Sequence, residues 1–249
     1  KFKLVAPPNP GWTYGQKIDC TTAGKTWSDG ENAGWKIMDT SKEDAITVYQ
    51  TLIAGISPKP VAFVSSLSAS GSANLAPFSW FNQVTHSPPV LSVSILHKLN
   101  GEKDTLRNIK ETKDFTVNII SEPWVEQANS CAINAPIDVS EWDVSGLTKA
   151  DSIYVKAPRV KESAFSMECE LLQTVDITNP TTNTVTTTMV LGSMKAVHMR
   201  KDILNEHGVP DIGKLKPVAR LGGTHYIRVS ESYSLPNVKD SWDDEGEKI

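Results

Sequence analysis

The chain has 249 residues, with 25 Lys+Arg against 29 Asp+Glu and a formal net charge of −4. That length can bury a sizeable core without disulfides or metal, and the mildly acidic balance argues against nucleic-acid binding through bulk charge. Three widely spaced cysteines (Cys20, Cys131, Cys169) without a C-x-x-C pair argue against a disulfide framework or a Cys-rich zinc site.

Residues 1–40 hold Pro7, Pro8, Pro10, Gly11, Gly15, Gly24, Gly30 and Gly34, a density that breaks regular elements. Trp12, Trp27 and Trp35 need cover from water, so the segment reads as a lid or arm on the main body or on a partner subunit. The opening KFKLVAPPNP lacks the apolar core of a signal peptide. No apolar run approaches the ~18 residues of a membrane span, so the cytoplasm is the expected compartment. Ser41 with Asp44 predicts a capping box opening a helix, with Ile46, Tyr49, Leu52 and Ile53 on one face and Gly55 at its end.

Strand signals then dominate. Val61–Ser65 is a compact β-type run, and Ser68–Ser72 is rich in turn residues. Val90–Leu96 sets Leu91, Val93 and Ile95 against Ser92 and Ser94, and Phe115–Ile120 is β-branched and apolar. Helices are expected at Asp104–Thr112 and after Ser121, the second with Pro123 in its first turn and Trp124, Ala128 and Cys131 on one face. Phe165, Met167, Cys169 and Leu171 alternate with Ser166, Glu168 and Glu170, which predicts a strand with one wet face. Thr174–Thr178 continues it, Asn179-Pro180 marks a turn, Val185–Met199 returns, and Tyr226–Val229 is a last strand. Long strands with few helices favour a closed or split β-barrel over a doubly wound sheet. The expected organisation is an arm at 1–40, a barrel domain at 41–235 and an acidic tail at 236–249.

There is no G-x-G-x-x-G, H-E-x-x-H or G-x-S-x-G, and the five histidines show no metal-ligand spacing. Gly208–Lys214 spells G-x-x-x-x-G-K, but Leu215 stands where a magnesium-binding hydroxyl belongs and Pro210 interrupts the loop. Three other segments carry candidate chemistry. Ser65, Ser66, Asn74, Ser79 and Asn82 offer polar groups to a planar ligand, with Pro77, Phe78, Trp80 and Phe81 as apolar surface; ordinary turns share this composition. Lys103-Asp104-Thr105 enters a predicted helix, where free N–H groups favour an anion, although Asp104 also fits a plain N-cap. Arg220-Leu221-Gly222-Gly223 precedes His225 and Tyr226 in a loop whose glycines permit close backbone approach.

Together these segments resemble the flavin reductase-like family of FMN-binding split β-barrels. The resemblance runs from about Val48 to Val229 and rests on ordered motifs: Ser-Pro-Lys-Pro-Val-Ala-Phe-Val-Ser at 57–65, Asn-Leu-Ala-Pro-Phe-Ser-Trp-Phe at 74–81, Lys-Asp-Thr-Leu-Arg-Asn at 103–108 and Arg-Leu-Gly-Gly at 220–223. Lys59 stands where Arg is common, and the two side chains grip a phosphate differently.

The resemblance implies a mainly β fold, a six-stranded antiparallel Greek-key barrel with a few flanking helices, commonly a homodimer with FMN in a groove near the subunit interface. It implies Ser65, Ser66, Asn74, Ala76, Pro77, Ser79 and Asn82 around the ribityl chain and ring, with Lys103, Thr105 and Lys59 at the phosphate. Arg220, His225 and Tyr226 would line the other side. The implied activity is NAD(P)H-dependent reduction of flavin or a small acceptor through flavin N5. A flavin-binding electron carrier or oxygenase-type protein is the alternative, and a colourless barrel binding another ligand is a third reading. No metal, nucleic acid or membrane partner is expected.

Overall fold

The computed structural model describes residues 2–98, 101–133 and 139–235; the acidic tail expected at 236–249 lies outside them. The chain divides into two compact units, one from Leu52 to Val229 and the other formed by the chain up to Thr51 together with Ser230 onward.

In the smaller unit, Lys3–Leu4 pairs in parallel with Glu231–Ser232. Despite its glycines the arm contains a helix, α1 (Thr22–Asp29), because the Thr21 side chain accepts from Gly24 N and caps it. Trp27, Trp35 and Ile37 are exposed. The next helix, α2 (Ala45–Gly55), ends at the expected glycine but opens on a different cap. Asp44 Oδ1 accepts from Ile46 N and Thr47 N at 3.0 Å each, whereas Ser41 bonds to Asp39. A carboxylate on the residue directly before the helix reaches two orphan N–H groups that Ser41 does not reach.

The larger unit is built on β1 (Ala62–Leu67), β2 (Ala73–Phe78), β3 (Phe81–His86), β4 (Pro89–Leu96), α3 (Asp104–Thr112), β5 (Asp114–Ile119), α4 (Val125–Ser130), α5 (Glu141–Ser145), β6 (Phe165–Asn179) and β7 (Thr184–Met199). After these come a short helix, α6 (Ile212–Leu215), and two short strands, β8 (Val218–Arg220) and β9 (Tyr226–Arg228). Seven strands form one antiparallel sheet in the order β2-β1-β5-β6-β7-β4-β3. It curls far enough for Phe78 on one edge strand to share a core with Leu91, Val93 and Ile95 near the other edge. β2 was not legible as a strand because Pro77 sits in it, and proline is tolerated in a sheet at its edge; β3 is mostly exposed and its two apolar residues, Phe81 and Val84, do not alternate.

Both faces of β1 are buried. Ala62 and Val64 join Phe115, Val117, Met167 and Cys169 in the barrel core; Phe63, with Val61 and Leu75, packs outward against Trp124, Ala128, Cys131 and Trp142. The outer face of β5 is polar, with Thr116 and Asn118 fully buried and Asp114 partly so. Asp114 accepts from Lys156 N and Ala157 N, Thr116 Oγ1 donates to Pro158 O, and Asn118 Oδ1 accepts from Val160 N at 3.0 Å. Three alternate side chains thereby strap the 156–160 segment over the sheet. Glu168, expected on a wet face, is 0% exposed beneath the preceding residues of the same segment.

Gly192 sits where a side chain has no room. A Cβ there would lie 2.5 Å from Phe115 Cζ and 3.4 Å from Cys169 Cβ. Gly192→Ala is expected to cost about 1–3 kcal/mol by overpacking, read as a lower urea midpoint, and adding Phe115→Leu should recover part of it. An unchanged midpoint would show that the ring has space to yield.

Candidate functional site

A polar cleft lies along β2 where α3 begins and α4 ends; its lining includes Asn74, Ala76, Pro77, Lys98, Lys103, Thr105, Cys131 and Glu141. The sequence folds this way because Leu106 and Ile109 anchor α3 in the barrel core, leaving its first turn at the surface beside β2. Thr105 is buried, and its Oγ1 accepts from Asn74 Nδ2 at 2.7 Å. Its own O–H is thereby free to donate into the cleft. Asn108, one turn later, donates to Ser66 Oγ at 3.2 Å and fixes α3 against β1.

The electrostatics of this end favour an anion. Lys103 is partly buried, 5.8 Å from the Phe78 ring centroid, and makes no ion pair among the described residues. Burial, and then the like charge of Lys98, push its pKa below the ordinary value. Asp104 does not neutralise it, being paired with Lys98 and Arg107. A desolvated ammonium, a free hydroxyl and the first-turn N–H groups of a nine-residue helix form a donor set suited to a phosphate ester. Cys131, also in the lining, is pushed up to about 11, chiefly by burial, and stays a neutral thiol at pH 7.

The remaining candidates from the sequence divide among other places. Ser65 is fully buried on the Phe63 side of β1, with no hydrogen-bond partner for Oγ among the described residues, and Ser66 is occupied by Asn108. Ser79 lies in the turn after β2; Asn82 is exposed on β3 and accepts from Gln83 N. Neither belongs to the cleft lining. Lys59 lies outside the cleft lining. Its Nζ donates to Ile53 O at 2.7 Å, Ile56 O at 2.9 Å and Ser57 Oγ at 3.3 Å, so it caps the C-terminus of α2 with all three donors used. Arg220 forms a second cluster, donating to Tyr226 Oη at 2.9 Å and Gly223 O at 2.7 Å, with Tyr226 Oη donating to Asn129 of α4. His225 is exposed beside Gly222 O. The G-x-x-x-x-G-K segment is no phosphate loop: Asp211 caps α6 and Lys214 Nζ donates to Leu204 O at 2.7 Å. Lys98 and Glu141 enter the cleft without any sequence signal, Glu141 reaching β2 from 66 positions away.

A flavin reductase like domain matches residues 54–213, more than half of the chain. The chain belongs to the flavin reductase-like family. Its β-sheet is the split barrel of that family, and similar solved structures agree. Nitrilotriacetate monooxygenase component B from Bacillus cereus has a TM-score of 0.77 and 32% identity, covering 81% of this chain and 99% of that one. The 2-nitrobenzoate 2-nitroreductase NbaA of Pseudomonas fluorescens has a TM-score of 0.72 and 27% identity, covering 81% and 96%. Flavoredoxin of Desulfovibrio vulgaris (Miyazaki F) has a TM-score of 0.62 and 25% identity, covering 73% and 91%. The flavin reductase-like chain is thus placed among flavin oxidoreductases. Among its described residues, no helix is long and apolar enough to cross a membrane.

Proposed function

We propose that the chain is an FMN-binding oxidoreductase that takes reducing equivalents from NAD(P)H and passes them to flavin or a small acceptor. The observation that carries this reading is the partly buried Lys103 ammonium, without a carboxylate partner among the described residues, beside the Thr105 hydroxyl at the start of α3. These groups hold the phosphate, while Asn74, Ala76 and Pro77 flank the rest of the ligand. When bound, FMN supplies the redox chemistry, accepting hydride at N5. The chain's own contribution is to bind and orient: Asn74 holds the Thr105 hydroxyl at its angle, and Asn108 through Ser66 keeps α3 in register with β1. The Arg220–Tyr226–Asn129 cluster is braced by its own bonds and lies outside the cleft lining.

The working unit in this reading is a cytoplasmic homodimer. Apolar residues left in water support it: Ile46, Leu52 and Ile56 around α2, and Leu172, Ile177, Val197 and Met199 on the β6–β7 ribbon. Light scattering on the eluting protein should give twice the chain mass.

A second reading, a flavin-binding electron carrier, is favoured by the similarity to flavoredoxin. An anaerobic visible spectrum with FMN, taken before and after NADH and then NADPH, separates the two. Bleaching of bound flavin by either nucleotide is the result expected of a reductase. Flavin that stays oxidised supports the carrier, and a protein that takes up no FMN defeats both.

A further inference from the structure

Two carboxylates line the cleft: Asp104, paired with Lys98 and Arg107, and Glu141, which makes no ion pair among the described residues. Glu141, the first residue of α5, shares the lining with Lys98, Lys103 and Thr105. Its Oε2 accepts from Leu75 N at 3.4 Å, while Oε1 makes no hydrogen bond among the described residues. The Leu75 contact pins the carboxylate to the free edge of β2, one residue along from Asn74 and its bond to Thr105. Lys103 lies against Phe78, three residues further along the same strand. At the usual rise of a strand that separation is about 10 Å.

A carboxylate repels a phosphate and can only accept hydrogen bonds. Whatever lies against Glu141 must therefore be uncharged or cationic and must donate. A phosphorylated sugar alcohol meets both demands, with its phosphate between Lys103 and the Thr105 hydroxyl and its hydroxyls passing the free Oε1. We propose that Glu141 grips the hydroxyls of the flavin's ribityl chain, so that the cleft selects flavins carrying a sugar-alcohol chain. The inference rests on the FMN reading above.

Three ligands separate the contributions of phosphate, chain and ring: FMN, riboflavin and lumiflavin, which lacks the ribityl chain. Their dissociation constants are measured by flavin fluorescence on the wild-type protein, Glu141→Ala and Glu141→Gln. The glutamine variant keeps an acceptor for Leu75 N. Loss of hydrogen bonds to a charged group should weaken FMN and riboflavin about 10- to 100-fold in Glu141→Ala. In Glu141→Gln the loss should be about 5-fold, since the bond survives without its charge. Lumiflavin should change by less than about 2-fold in both variants. The FMN-to-lumiflavin ratio on each sample cancels any loss of folded protein. Equal weakening of all three ligands would place Glu141 at the ring's N–H or at the fold, and would overturn the assignment. Unchanged affinity for FMN and riboflavin in both variants would overturn it as well. If the wild-type protein binds neither FMN nor riboflavin, the FMN reading itself falls.

Discussion

Glu168→Ala should lower the unfolding free energy by about 3–5 kcal/mol, the loss typical of breaking a buried charged group away from its partners. The carboxylate is 0% exposed and accepts from Ile153 N at 2.8 Å, Tyr154 N at 2.6 Å and Val155 N at 3.2 Å, with His198 Nε2 at 2.5 Å. Removing it strands a row of backbone donors, at about 1–3 kcal/mol for each that water cannot reach. For a domain of this size a loss of that magnitude lowers Tm by about 6–20 °C, read by circular dichroism. Glu168→Gln keeps one acceptor oxygen and should cost roughly half as much.

The same carboxylate makes stability depend on pH. Burial pushes its pKa up, but the bonds from Ile153, Tyr154, His198 and Val155 outweigh burial and hold it below the ordinary 4.5. A depressed carboxylate contributes stability that is complete above its unfolded value and is lost as pH falls through the folded one. The wild-type protein should therefore lose stability below about pH 4.5 more steeply than Glu168→Gln. A variant within 1 kcal/mol of wild type, or parallel acid profiles, would show that the 153–155 segment holds itself.

Glu168 also marks where reading the sequence reaches its limit. Alternation in Phe165–Leu171 gave a strand and the inward side of Met167 and Cys169 correctly, because that periodicity is local. The cover over the other face comes from residues 153–160, a segment without helical or strand periodicity, held by side chains of β5 and β6. Leu91, Val93 and Ile95 were legible for the same local reason, as was the buried face of Trp124, Ala128 and Cys131. Lys59 shows the converse. Its motif suggested a phosphate ligand, but the unsatisfied carbonyls at the end of α2 lie within reach and take its ammonium. In the cleft, Asn74 and Thr105 were marked by their motifs and meet across 31 positions. Glu141 carries no such mark, since only the fold brings α5 to the edge of β2.

The double variant Lys103→Ala/Thr105→Ala should raise the FMN dissociation constant about 100-fold. Each group gives a phosphate a charge-assisted hydrogen bond, worth about 1.5–3 kcal/mol, and two at the lower end of that range come to roughly two decades. Riboflavin shares the ring and chain but lacks the phosphate, so its affinity should move by no more than about 3-fold. Salt should weaken FMN binding to the wild-type protein more than to the variant, because the variant has lost a charge that salt screens. The lowered pKa of Lys103 sets the pH dependence. Phosphate binding favours the ammonium, so affinity is retained below the free Lys103 pKa and declines as pH rises through it, sooner than an ordinary lysine would allow. An equal loss of FMN and riboflavin would detach the phosphate from α3. Lys98, also in the cleft lining, is paired with Asp104, and outside the lining Arg220 already commits both terminal nitrogens to Tyr226 Oη and Gly223 O. A phosphate at Arg220 would have to compete with contacts that brace β8 and β9, whereas Lys103 has no carboxylate partner among the described residues to give up.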